Sequence, residues 1–186
     1  MGTSYVAGAS VPFSSEHFTQ FSLANEAATA RLGAALGRAI GTLSEPISSV
    51  GLVIGLSGEL GAGKTALVRA VLRRLGVSGP VKSPTFSLLE LYSISRLNFY
   101  HFDFYRFSEP GEFAASGFRD FFGPGAVCAI EWPERAQAPG LPIDLRIELQ
   151  INEPGRNAIF DALTQLGQEC LQETDRAWRT SQDETC

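Results

Sequence analysis

The chain has almost no lysine. Of its 15 basic residues only Lys64 and Lys82 are lysines, and the rest are arginines. One methionine and three cysteines stand in 186 residues, and the acids outnumber the bases, for a net charge of −5. Each shortage excludes something. Without a basic surplus, tight binding of RNA or DNA by this chain alone is disfavoured. No stretch approaches the roughly 18 apolar residues of a membrane helix, so no membrane association is expected. The opening Met1-Gly-Thr-Ser-Tyr-Val6 has no basic region followed by an apolar core, so no export signal is expected. Cys128, Cys170 and Cys186 have neither metal-like spacing nor a disulfide framework, which fits a reducing cytoplasm.

One of the two lysines marks a motif. Gly58-Glu59-Leu60-Gly61-Ala62-Gly63-Lys64-Thr65 fits the phosphate-binding pattern G-x-x-x-x-G-K-[ST]. With this composition the pattern arises by chance about 0.003 times per chain, so it is read as real. A lysine is a compact charge on a thin stem and can lie along a phosphate chain. The wider fork of an arginine cannot enter the same tight loop. Val50–Leu56 is a short apolar run that reads as a buried strand. Thr65–Leu75 repeats apolar residues at helical spacing, with Gly76 as a stop. The loop thus lies between strand and helix, as the motif requires. Its glycines allow positive φ, its N–H groups form an anion nest, and the helix N-terminus adds positive potential. Gly58 through Thr65, with Ala66 after them, are the candidate phosphate-binding residues, and Thr65 offers its hydroxyl to Mg²⁺.

At this length one main domain is expected, with 44% hydrophobic residues for its core. Residues 1–17 are Ser/Gly-rich and read as a flexible N-terminal segment. Residues 18–164 read as a phosphate-loop domain, and 165–186 as a polar tail ending in a frayed helix. Within the domain, 20–42 reads as an amphipathic helix. The aromatic-rich segments 85–94 and 97–107 read as a hairpin across Ser95-Arg96. One or two short helices are expected over 109–122 and a buried strand over 127–132. A second strand pair is expected over 145–151 and 157–163.

Two carboxylates stand out. Glu131 closes the apolar strand Val127-Cys-Ala-Ile130, just before Pro133. A strand end delivers a carboxylate to the edge where open α/β sheets bind ligands, and there it can hold Mg²⁺. Asp103 lies in the aromatic second hairpin strand, where a carboxylate is costly unless paired, metal-bound or hydrogen-bonded. It is a candidate to orient or deprotonate an attacking water or to join the Mg²⁺ ligands. The competing assignments pair it with Arg106 or have it cap the hairpin. His101 reads as a buried, hydrogen-bonded histidine before it reads as a base. The Thr85 hydroxyl, in Ser83-Pro84-Thr85, is a candidate sensor of the γ-phosphate.

The phosphate-loop octet, Val81-Lys-Ser-Pro-Thr-Phe86, His101-Phe-Asp-Phe-Tyr-Arg106 and Ile130-Glu-Trp-Pro133 occur in this order. In that order they resemble the TsaE (YjeE) ATPases of bacterial tRNA threonylcarbamoyladenosine synthesis, over about residues 20–160. The resemblance implies a three-layer α/β fold like the P-loop NTPases, with a mixed sheet that includes an antiparallel hairpin. It implies weak Mg²⁺-dependent hydrolysis of ATP in the cytoplasm. It also implies TsaD-like and TsaB-like partners, with tRNA contacted only indirectly. By motif position, Lys64 would contact the phosphates, Thr65 and Glu131 would hold Mg²⁺, and Asp103 would serve hydrolysis or the metal. Glu59 departs from the Asp usual in the family, and Ala66 from a common Thr.

Two other readings share the loop. A small-molecule kinase usually carries an arginine-rich lid, and residues 109–125 hold only Arg119. A nucleotide-dependent switch without turnover shares every residue named above. A GTPase is disfavoured because neither lysine lies in an Asn-Lys-x-Asp guanine motif.

Overall fold

Asn25 decides where the first helix begins. Its side chain accepts a hydrogen bond from the Ala28 N–H at 3.0 Å, and its own backbone is extended at φ −162°, as an N-cap requires. The residues before it stay extended as strand β1 (Phe18–Leu23), with Phe21 and Leu23 buried. Helix α1 (Glu26–Thr42) follows. The helix expected from residue 20 is corrected at its start: residues 20–23 follow period two and pair along the sheet. The structure is a computed structural model and describes residues 18–109, 111–138 and 140–183. The flexible segment expected over 1–17 lies outside the described residues.

Helix α2 (Ser44–Val50) carries Pro46 in its first turn and leads into strand β2 (Leu52–Ser57). The strand expected from Val50 therefore starts two residues later, because Val50 closes α2. Helix α3 (Lys64–Arg74) follows the phosphate loop. The aromatic hairpin forms as β3 (Leu89–Ile94) and β4 (Leu97–Asp103), joined at Ser95-Arg96. It is shorter than expected at both ends. Leu88 sits at φ 63° and donates its N–H to the Pro84 carbonyl, so residues 85–88 turn. The Phe107 N–H bonds the Phe104 carbonyl and the two rings stack at 4.8 Å, so the chain also turns after β4. Helix α4 (Glu112–Ala115) and a 3-10 turn over Phe118–Phe121 lead to β5 (Ala126–Glu131). A second 3-10 turn, Pro133–Ala136, precedes the hairpin β6 (Leu145–Asn152) and β7 (Gly155–Ala162), and helix α5 (Gln165–Asp183) ends the fold.

Among the described residues the strands form one seven-stranded sheet in the order β1-β7-β6-β2-β5-β4-β3. The four central strands, β6, β2, β5 and β4, run parallel, and antiparallel partners extend both sides. Helices α1, α3 and α5 cover one face. A phenylalanine-rich cluster with α4 and the first 3-10 turn covers the other, with Phe102, Phe104 and Phe113 fully buried. The mixed three-layer α/β architecture expected from the sequence is present.

Residues 165–183 are more than the frayed helix expected of them. Cys170, Leu171, Thr174 and Trp178 form a buried stripe at helical spacing. Trp178 meets Phe21 edge-on at 5.9 Å, and Phe21 meets Phe160 at 5.0 Å. The Thr164 hydroxyl donates to Asp144 Oδ1 at 2.7 Å and accepts the Gly167 N–H at 3.1 Å, which anchors the start of α5. The overall polarity of the segment hides this narrow stripe. Burial raises the Cys170 thiol to about 12 and pushes Cys128 higher still, so neither serves as a nucleophile at neutral pH.

Helices α1 and α3 approach through glycine. A Cβ on Gly33 would lie 2.4 Å from Ala70 Cβ and 2.8 Å from the Leu67 carbonyl oxygen. Backbone in α3 cannot retreat without moving the phosphate loop it carries. Gly33→Val is expected to destabilise the fold by ~1–3 kcal/mol through overpacking. Urea denaturation with an unchanged m-value checks this.

Candidate nucleotide site

Register brings the site together. Leu56 of β2 and Asp103 of β4 both lie opposite Glu131 of β5, so the three parallel strands end in one row. The phosphate loop leaves β2 two residues later, at the carboxyl edge where such sheets bind ligands. Gly58, Gly61 and Gly63 hold φ values of 129°, 83° and 106°, in the region that favours glycine. Gly58 is doubly constrained, because a Cβ there would lie 2.2 Å from the Leu149 carbonyl oxygen. Helix α3 starts at Lys64 with no side-chain cap on its first N–H groups, which leaves them to an anion.

Lys64 is 5% exposed. Its ammonium donates to the carbonyls of Gly58 at 2.7 Å and Glu59 at 3.0 Å, and lies 3.9 Å from the centre of the Trp132 ring. Burial holds its pKa below the usual lysine value, while the charges of Glu131, Glu134 and Asp103 oppose that shift. Three carboxylates already oppose this one cation, so a polyphosphate would gain from Lys64 only with a divalent cation beside it.

The Thr65 hydroxyl donates to Glu131 Oε1 at 2.8 Å, and His101 Nε2 lies 2.9 Å from the same oxygen. Glu131 and His101 are both buried, so the histidine fixes the orientation of the carboxylate, as partners behind metal ligands do. His101 is thus the buried, hydrogen-bonded residue its aromatic surroundings suggest. Asp103 does not pair with Arg106, which stacks over the Phe86 ring at 4.1 Å. Asp103 Oδ2 instead accepts hydrogen bonds from the Ser83 and Thr85 hydroxyls, and Oδ1 accepts the Tyr105 N–H at 2.9 Å. The carboxylate therefore ties the Ser-Pro-Thr connector to the sheet edge.

One pocket of about 320 Å³ is lined among others by Leu60, Gly61, Gly63, Lys64, Thr65, Ala66, Asp103 and Glu131, whereas Gly58, Glu59, Ala62 and Thr85, also expected at the site, and His101 do not line it. Leu60 is exposed at its rim, and Glu59 is exposed outside the lining. Arg69, Ser83 and Tyr105 also line it, and sequence reasoning gave them no role. Ser83 had a signal in its place beside Thr85. Arg69, one turn after Thr65 on α3, had one in its helical spacing; its Nε donates to the Val81 carbonyl at 3.0 Å. A second hollow, at the β3–β4 turn, brings no such group of charges together. Among the described residues no three His, Cys, Asp or Glu side chains gather as a metal cage. The pair of Thr65 and Glu131 still suits Mg²⁺, which prefers hard oxygens, few protein ligands, and water and phosphate for the rest.

Comparison with known proteins agrees with this geometry. The family model for "Threonylcarbamoyl adenosine biosynthesis protein TsaE" matches residues 23–158. A Haemophilus influenzae protein named tRNA threonylcarbamoyladenosine biosynthesis protein TsaE is 39% identical over 120 residues, 64% of this chain and 76% of its own. A Treponema pallidum protein of the same name is 34% identical over 131 residues, 70% of this chain and 90% of its own. The crystal structure of Bacillus subtilis YdiB superposes with a TM-score of 0.65 at 25% identity, over 86% of this chain and 95% of that one. No helix among the described residues is long and apolar enough to cross a membrane. With a family match that spans most of the fold and the whole phosphate-loop site, the chain belongs to the TsaE family.

Proposed function

We propose that this chain is the ATP-binding, weakly ATP-hydrolysing component of the machinery that forms threonylcarbamoyladenosine beside the anticodon of tRNA. It would act in the cytoplasm with TsaD-like and TsaB-like transferase subunits and touch tRNA only through them. The observation that carries the reading is the convergence of Lys64, Thr65, Asp103 and Glu131 on one pocket at the mouth of a phosphate loop. Lys64 and the loop N–H groups would bind the phosphates. Thr65 and Glu131 would hold Mg²⁺, which when bound neutralises charge on the transferring phosphoryl group. Asp103 would place the attacking water, directly or through Ser83 and Thr85. The connector held by Asp103 also supports a switch-like use of the bound nucleotide, in which Thr85 reads the γ-phosphate.

The test is phosphate release from ATP, measured for the chain alone and with its transferase partners. Turnover absent under both conditions would leave only the switch. Asp103→Ala is expected to retain nucleotide binding and slow hydrolysis about 100-fold. Asp103→Asn separates the two roles. Recovery toward the wild-type rate would assign Asp103 to holding the connector, and a rate as low as the alanine variant's would assign it to the water. An alanine variant with full activity would remove Asp103 from the mechanism.

A further inference from the structure

The β6–β7 hairpin presses on both ends of the phosphate loop. At one end the Leu149 carbonyl of β6 fills the space where Gly58 would carry a Cβ. At the other, Arg156 of β7 donates through Nη1 to the Ala62 carbonyl at 2.9 Å. Its guanidinium also packs on Gly63, where a Cβ would lie 2.3 Å from Nη1. Gly63 is glycine for its φ of 106°, and its missing side chain leaves the space that the Arg156 guanidinium occupies.

A nest that turns its N–H groups toward a phosphate turns carbonyls away from it, and those carbonyls need donors. Gly58 takes its donor from Lys64, whose ammonium is also wanted by the ligand, and Glu59 takes its donors from Lys64 and from the Ala62 N–H at 3.1 Å. Gly63 takes its donor from Leu67 inside α3. Ala62 takes it from Arg156, which does not line the pocket and so does not compete with a ligand. Arg156 is not simply a satisfied surface arginine either. Its Nε is buried without a hydrogen-bond partner, an arrangement that stability alone does not favour.

We propose that Arg156 is a positioning residue for the phosphate loop. It pins the Ala62 carbonyl outward and keeps the loop N–H groups preorganised for a polyphosphate, with its charge behind Gly63 reinforcing the site. This rests on the reading that the pocket takes a nucleoside triphosphate. The hairpin then serves the site, although no residue of it faces the nucleotide pocket.

The experiment compares Arg156→Met and Arg156→Lys with the wild type. Amide hydrogen exchange is followed across residues 58–66, and ATP affinity is titrated calorimetrically with Mg²⁺. In Arg156→Met, exchange in the loop is expected to speed up about tenfold and affinity to fall about tenfold, the effect of one charge-assisted hydrogen bond. Exchange in α1 and α5 should stay unchanged. Arg156→Lys, which keeps the charge but not the directed fork, should recover part of both losses. Wild-type loop exchange and affinity in Arg156→Met would overturn the proposal. So would faster exchange spread evenly over the sheet with affinity retained, which marks a merely structural residue. If the methionine variant does not fold, the lysine variant decides: faster exchange confined to the loop supports the role, and unchanged exchange overturns it. A wild-type protein that binds no triphosphate overturns the nucleotide reading, and this proposal with it; binding by the wild type that Arg156→Met leaves intact overturns this proposal alone.

Discussion

Lys64→Ala is expected to weaken binding of ATP by about 100-fold or more while leaving the fold intact. A lysine ammonium on a phosphate makes charge-assisted hydrogen bonds worth roughly 1.5–3 kcal/mol each, and about two are lost. The folded protein loses less. Lys64 donates to two loop carbonyls and lies on the Trp132 ring, but its buried charge is itself costly, as the lowered pKa records. Removing a desolvated cation offsets part of the lost bonding. The separation is testable: titration calorimetry should show the loss of affinity, and a thermal melt should move by only a few degrees. A variant that bound ATP normally would sink the phosphate-loop assignment. A variant that melted far below the wild type would show that Lys64 holds the loop together before any ligand does.

Most of this site is legible in the sequence because its chemistry is local. A phosphate loop is eight consecutive residues, and its flanking strand and helix show as an apolar run and a helical repeat. Glu131 is legible for the same reason, as an acid closing four apolar residues. What the sequence conceals is contact across the sheet. Asp103 could be placed in a buried strand, but Arg106 is its near neighbour in sequence and Ser83 and Thr85 are not. The bond that forms is set by the turn at residues 85–88, which no periodicity marks. Arg156 is further removed still, since its partner Ala62 lies 94 residues away. Local patterns also overlap at the start of the fold. Leu23 fits a helical stripe and a strand alternation equally well, and the cap at Asn25 decides between them. Helix α5 is hidden in the sequence because its four-residue buried stripe is diluted by polar residues on the remaining faces.

Glu131→Gln should separate metal binding from nucleotide binding. The substitution keeps the shape and the side-chain oxygen that accepts from the Thr65 hydroxyl, and it leaves His101 a partner. It removes only the negative charge. If Thr65 and Glu131 hold Mg²⁺, ATP should still bind without metal, the gain in affinity on adding Mg²⁺ should vanish, and hydrolysis should fall by about 100-fold or more. Metal-free binding could even tighten, because a carboxylate near the phosphates repels them and its loss leaves Lys64 less neutralised. The opposite pattern is equally informative. Asp103 lies directly across from Glu131 in the β4–β5 register, so it is the carboxylate placed to take over the metal. A Glu131→Gln protein that kept its Mg²⁺ dependence would move the metal to Asp103. The Ser83 and Thr85 hydroxyls would then have to give up Asp103 whenever the metal bound, and the connector they hold would respond to Mg²⁺. Running the titration in Glu131→Gln and in Asp103→Asn therefore assigns the ion to one carboxylate, and the variant that abolishes metal dependence names it.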